Sequence, residues 1–411
     1  MLRISDTTRA NLEAGRVVTA IVWPAGEEHP APATLEWSFE SGATVRLVEP
    51  TDQWKLPFNA GHHVVHLAVN GGEEYTMLDA RVNGMSADGR IAKLGAYTLA
   101  LGAHTDNAEC WPAAEYSTAN LTEWFGESGI DVTYPDTQDV FIRLHYKAPA
   151  RREATVDPGK LAFGSNVKTP GRGYAADWSI STWQTMWVVP NDPSEVEELS
   201  RRFAHPLRAL TSFVSDRPDS VTIERLVNTE LRREALIWRV APRTEVRPWQ
   251  VISDYLFRVG DIEDFTSLIQ IWWALYEKVD SAIGYFAQHV NDGSTYSPER
   301  LVLLFAALEA YGDIHRQTTD PKALRNQTGV AASVTGCTNA ALTLLGSSRG
   351  YFAHPSKHRQ SREPSDADDG IFPSIRRASA LMQSCLLRDL GFDAESTTDI
   401  LQEHYRSWPL P

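Results

Sequence analysis

The amino-acid sequence predicts a two-part α+β protein: a β-rich, sandwich- or barrel-like N-terminal domain over residues 1–243, then an all-α helical bundle over residues 244–411. Three observations predict it. The first half is a series of short β-branched or alternating apolar runs parted by glycine-containing turns, the pattern of a sandwich or barrel. Residues 241–248 (APRTEVRP) then read as a linker. Beyond them, apolar residues recur at helical spacing.

Each element follows from local chemistry. Strands are expected at 16–23, 35–39, 45–48, 63–69, 75–82 and 97–101. Turn residues at 24–26 (PAG), 40–42 (ESG), 59–61 (NAG), 70–72 (NGG) and 87–89 (ADG) set most of them apart. Further strands are expected at 140–146, 160–163 and 183–189, with a short helix at 120–125. Helices at 193–203 and 206–214 and a hairpin of 220–226 with 235–240 complete this half. After the linker, Ile262, Phe265, Leu268, Ile269, Trp272, Leu275, Tyr276 and Val279 form the stripe of an amphipathic helix. Ser297 followed by Pro298 is a strong helix start, serine as N-cap and proline in the first turn. That helix puts Leu301, Leu304, Phe305 and Leu308 on one face and runs to about Arg316. Two more helices are expected at 334–345 and 375–390, the second stopped by Gly391.

Composition narrows the classes of function. With 42% hydrophobic and 22% charged residues the chain is globular. A net charge of −14 excludes a broadly basic surface that coats nucleic acid, though not a small basic site. No apolar run reaches a membrane span, and the N-terminus lacks the apolar core of a signal peptide. Cys110, Cys337 and Cys385 are widely spaced and form no CxxC pair, which points to a reducing cytoplasm and away from a disulfide framework or zinc site. His62, His63 and His66 resemble a metal cluster on paper. On a strand, however, His62 and His66 share a face while His63 points away, so no metal or other cofactor is expected. The 13 tryptophans are expected to pack rather than to stack on ligands.

The element that carries chemistry is Arg349-Gly350-Tyr351-Phe352-Ala353-His354. Arginine stays charged and presents a planar fork to phosphate oxygens. Histidine exchanges a proton near neutral pH. The spacing is one that chance supplies about once in a chain this rich in arginine and histidine. Its context adds weight: Arg349, Lys357, Arg359 and Arg362, with His358 among them, form an acid-free basic run before the acidic stretch 363–369. Pro355 disfavours helical backbone at His354, so a helix containing Arg349 should end there. A histidine in the last turn of a helix is favoured in its protonated form by the helix dipole.

With this motif between its last two long helices, the C-terminal third resembles a HEPN domain, and the whole chain resembles the ApeA-type HEPN proteins, which carry a β-rich N-terminal domain of their own. Residues 299–309 (ERLVLLFAALE) look like that family's glutamate-bearing helix, and residues 381–391 (LMQSCLLRDLG) like its final helix. Residues 84–125 have a similar cadence: a Gly-ended strand, a Leu/Ala-rich strand, then NLTEWF. The chain departs from the family at Gly350, where a polar residue usually follows the arginine.

The resemblance implies a cytoplasmic anti-phage protein of the abortive-infection type, whose bundle is a metal-independent endoribonuclease. Arg349 and His354 would be catalytic, Glu309 and Gly350 would support them, and Lys357, His358, Arg359 and Arg362 would face RNA. It further implies a homodimer through the HEPN domain, or a higher oligomer, and a phage-derived trigger read by the N-terminal domain. Arg349 and His354 lie ~140° apart on an ideal helix, which suits a site completed by a second subunit. Two rivals stand beside this reading. One is a HEPN-like RNA-binding or regulatory protein without catalysis, which Gly350 makes credible. The other is a β-domain that binds a carbohydrate or similar ligand, with the bundle as a dimerisation unit.

Overall fold

The protein is described here from a computed structural model. It describes residues 5–54, 56, 63–70, 72–106, 108–133, 143–168, 180–239, 255–291, 297–353 and 371–406. A capped first helix, α1 (Asp6–Glu13), precedes six strands: β1 (Val18–Pro24), β2 (Ala31–Ser38), β3 (Gly42–Thr51), β4 (His63–Val69), β5 (Glu73–Met85) and β6 (Ile91–Ala96). They pair antiparallel in the order β5-β4-β1-β2-β3-β6, and β6 pairs back onto β5. The result is a closed six-stranded barrel. Alternation along each strand sends one set of side chains inward. Val18, Ala20 and Val22 of β1, Leu35 and Trp37 of β2, and Val65, Leu67 and Val69 of β4 fill the barrel, with Leu12 of α1 joining that core. The β2–β3 turn requires Gly42: its φ is +85°, and an added Cβ would lie 2.1 Å from the Ala96 carbonyl oxygen.

The long strand β5 forks the sheet. Along one edge its residues 81–85 pair with β6, while Tyr75, Thr76 and Met77 pair with β7 (Thr98–Leu101). From β7 a second antiparallel sheet continues, built of β8 (Ala113–Ser117), β11 (Arg152–Val156), β12 (Gly159–Lys168), β13 (Ser181–Pro190), β14 (Thr222–Asn228) and β15 (Arg233–Arg239). Its order is β7-β15-β14-β8-β13-β12-β11. A separate hairpin, β9 (Ile130–Thr133) with β10 (Arg143–Tyr146), stands outside it. Helices α2 (Ala119–Phe125), α3 (Val196–Leu199) and α4 (His205–Ser215) belong to this layer, α3 and α4 being joined by a π-turn at Ser200–Ala204.

The remaining helices are α5 (Phe265–Lys278), α6 (Asp280–Asn291), α7 (Pro298–Tyr311), α8 (Pro321–Thr328), α9 (Ala332–Thr335), α10 (Asn339–Ala353), α11 (Ile371–Asp389) and α12 (Ala394–His404). The expected succession of strands and then helices is what the chain adopts. The barrel has its own core, whereas the inner face of the second sheet shares one continuous core with the helices. That core runs from Phe163, Met186 and Val188 through Trp124, Phe213 and Trp272 to Leu304, Leu308, Leu381 and Leu386. Helix α5 ties the layers together. Thr266 and Gln270 donate to the carbonyls of Glu153 and Thr155 (both 2.9 Å), satisfying acceptors along the sheet's edge strand β11. The linker expected at 241–248, and with it the 243/244 boundary, lies outside the described residues.

Candidate functional site

The glutamate-bearing helix begins as its sequence requires. Ser297 accepts the Arg300 N–H (3.4 Å), and Pro298 occupies the first turn of α7. Leu301, Leu304, Phe305 and Leu308 are buried, and Glu309 is half-buried. Past Tyr311 the helix continues as a π-turn, Gly312–Arg316, so the expected end at Arg316 holds. Asp313 in this turn is exposed.

Helix α10 packs on α7, α8 and α11. Leu342, Leu345 and Ser348 are buried and Phe352 is partly buried, at steps of three, three and four, so one face of α10 turns inward. Arg349 and Gly350 are in the last turns of a helix described to Ala353. The side chain of Arg349 lies outside the described residues, as do His354, Lys357, His358, Arg359 and Arg362. The fold therefore brings together the helices that carry Glu309 and Arg349. Beside Arg349, the Ser348 hydroxyl is buried with no hydrogen-bond partner among the described residues.

A second polar cluster in the bundle was not foreseen from the sequence. Asp389, at the end of α11, accepts hydrogen bonds from Tyr311 and Arg316 and lies 3.1 Å from His315 Nε2. Arg316 Nε also donates to the Tyr311 hydroxyl (3.2 Å). Burial, with the nearby Cys385 and Asp389, pushes the Tyr311 hydroxyl far above its ordinary value, so it stays protonated. The cluster locks the π-turn to α11. The only sequence signal was a tyrosine, a histidine and an arginine near the end of one helix, with their acid more than 70 residues away.

Arg325 has a structural role: it holds Asn326 and spans to the Cys337 carbonyl (2.9 Å) and Asn339 (3.2 Å), bracing α8 against the start of α10. His66 packs its ring 4.9 Å from that of His104 and bonds Thr76 (3.3 Å). Burial, then His104, lowers its pKa. His62 lies outside the described residues, and among the described residues no three His, Cys, Asp or Glu side chains converge as metal ligands. Most of the described tryptophans are core: Trp37, Trp111, Trp124 and Trp272 are fully buried, and Trp54, Trp238 and Trp273 nearly so. Among the described residues no helix is long and apolar enough to cross a membrane.

These features define a two-part chain, a barrel-and-sheet domain whose second layer is fused through one core to a helical bundle. A family model described as ApeA N-terminal domain 1 matches residues 18–272, more than half of the chain, and the protein belongs to that ApeA family. The match begins at the first residue of β1 and ends inside α5, the helix that clasps the sheet's edge. Membership is consistent with an ApeA-like role in anti-phage defence. Comparison with curated proteins and with solved structures gives no match.

Proposed function

We propose that the helical bundle is a HEPN ribonuclease domain and that the ApeA domain holds it to a low basal rate until a phage-derived trigger is sensed. The observation that carries the proposal is the coincidence of an ApeA N-terminal domain with an Arg-x4-His motif that opens in the last turns of α10, a helix packed on the glutamate-bearing α7. The single core shared by the second sheet and the bundle supports mechanical coupling between sensor and effector.

The chemistry needs no metal. The RNA 2′-hydroxyl gives its proton to Glu309 or to water as its oxygen bonds the adjacent phosphorus, while the phosphorus–5′-oxygen bond breaks and that oxygen takes a proton from His354. Arg349 neutralises charge that grows on the phosphoryl oxygens in the transition state. Glu309 orients Arg349 or completes the acid–base set. Lys357, His358, Arg359 and Arg362 hold the RNA backbone, and a second copy of the bundle completes the site. Such a reaction requires the 2′-hydroxyl and so spares DNA. The test is incubation of the full chain with RNA and with DNA of the same sequence in EDTA, reading the 3′ ends of the products. RNA ends bearing 2′,3′-cyclic phosphate with DNA intact are expected. Equal cleavage of DNA, or dependence on a divalent metal, overturns the proposal. A flat pH–rate profile between about pH 5 and 8 removes His354 as the acid.

A further inference from the structure

A cleft of about 270 Å³ opens between α4 and the α5–α6 pair. Its polar lining is His205 and Arg208 from α4, Tyr276 from α5 and Gln288 from α6, and Gly284 leaves one wall bare. The cleft straddles a seam. Helix α4 lies inside the ApeA match of residues 18–272, and α6 lies beyond it and packs on α7.

The polar groups are unspent: His205, Arg208 and Gln288 are exposed and Tyr276 is half-buried. Arg208 Nε donates to the Asp219 carbonyl (3.2 Å), which fixes the guanidinium. Among the described residues the guanidinium makes no other hydrogen bond and no ion pair, and His205, Tyr276 and Gln288 make none. No carboxylate lines the cleft. Of the acids around it, Glu198 grips Arg201 through two bonds (2.8 and 2.6 Å), while Asp280 at the start of α6 accepts the Ser281 N–H (2.6 Å) and is close enough to add to the rise that burial causes in the Tyr276 pKa. Among the described residues Arg208 is the one cation in the cleft's lining and sets a positive field at that wall, on a chain of net charge −14. His205 registers this field, since burial and then Arg208 and Arg201 lower its pKa.

An arginine fork with free donors, beside an imidazole and an amide, fits the oxygens of a phosphate group. The volume is near the lower end of small-ligand pockets, which run from about 300 Å³ upward. It suits a small molecule rather than a polymer. We propose that this cleft binds the phosphate group of a small phosphorylated ligand no larger than a nucleotide, with Arg208 as the fork, His205 and Gln288 as further donors and Tyr276 as the wall. A ligand there bridges the ApeA domain and the first helices of the bundle, so its binding stabilises their junction.

The test is calorimetric titration of the full chain with three probes: inorganic phosphate, adenosine monophosphate and adenosine. Saturable binding of phosphate or of the monophosphate is expected, with adenosine weaker by about tenfold or more. Equal affinities for phosphate and monophosphate identify free phosphate as the ligand, and a tighter monophosphate identifies a nucleotide. Two variants guard the result. Arg208→Gln removes the fork. Gly284→Leu fills the cleft from a position where an added Cβ meets no atom within 4 Å, and it replaces a poor helix former, so the fold is retained. Each variant is expected to weaken binding by about tenfold or more, with its melting temperature showing whether it folds. The inference is overturned if phosphate and monophosphate both fail to bind at millimolar concentration. It is overturned equally if adenosine binds as tightly as its monophosphate, or if folded Gly284→Leu binds like the parent.

Discussion

Asp219 is a carboxyl whose burial sets a measurable pH dependence. It lies between α4 and β14, 4% exposed. One carboxylate oxygen accepts the Ser220 N–H (2.9 Å), and the other is buried with no partner among the described residues. Burial pushes its pKa up to about 6 from the ordinary 3.8, and the nearby Thr211 and Thr118 hydroxyls offset this only in part. Between those values the folded chain holds a proton that the unfolded chain has released. Stability is therefore highest with respect to this group below pH 3.8 and falls as pH rises through about 6. Two pH units at about 1.4 kcal/mol each set an upper limit of roughly 3 kcal/mol on the cost at neutral pH. Asp219→Asn never ionises. It is expected to match the parent near pH 4 and to exceed it by up to roughly 3 kcal/mol above pH ~6. The assay is urea unfolding of both chains at pH ~4.5 and ~7.5, followed by tryptophan fluorescence. A gap that does not widen with pH, or a variant less stable than the parent at the higher pH, refutes the reasoning.

Two further predictions follow from burial. Asp389→Ala strips Tyr311, His315 and Arg316 of a shared acceptor that is 10% exposed, and should cost about 3 kcal/mol in urea unfolding. A loss below about 1 kcal/mol would mean that the lock between the π-turn and α11 is dispensable. Burial pushes the thiols of Cys337 and Cys385 up to about 11 and about 12, whereas Cys110 is exposed. A thiol-reactive dye at pH ~8 should therefore label one cysteine in the native chain and all three after denaturation; rapid native labelling of a second contradicts the burial of Cys337 between α9 and α10 or of Cys385 in α11.

Elements with strong local chemistry were legible in the sequence. Strand β4 spans His63–Val69 as expected, the β14–β15 hairpin stands where expected, and Ser297 caps α7. What was missed lacks a local signature. Strand β8 reads AAEYS and is buried at four of its five positions because it lies between β13 and β14, so no alternation marks it. Strand β6 is IAKLGA, poor in β-branched residues, and only its pairing with both β3 and β5 closes the barrel. Neither β9, β11 nor α1 was anticipated. At the candidate site, the Arg349–His354 spacing was visible because it is local. The Asp389 cluster joins residues 73 to 78 positions apart, and the cleft of Arg208 and Gln288 joins three helices; such sites exist only after folding.

The central claim, that the bundle cuts RNA through Arg349 and His354, is tested most directly by comparing three chains on one RNA in EDTA: the parent, Arg349→Ala and His354→Ala. Each substitution is expected to lower the cleavage rate by about a hundredfold or more while leaving the melting temperature unchanged. Equal cleavage by all three chains, or none by the parent, would contradict the account.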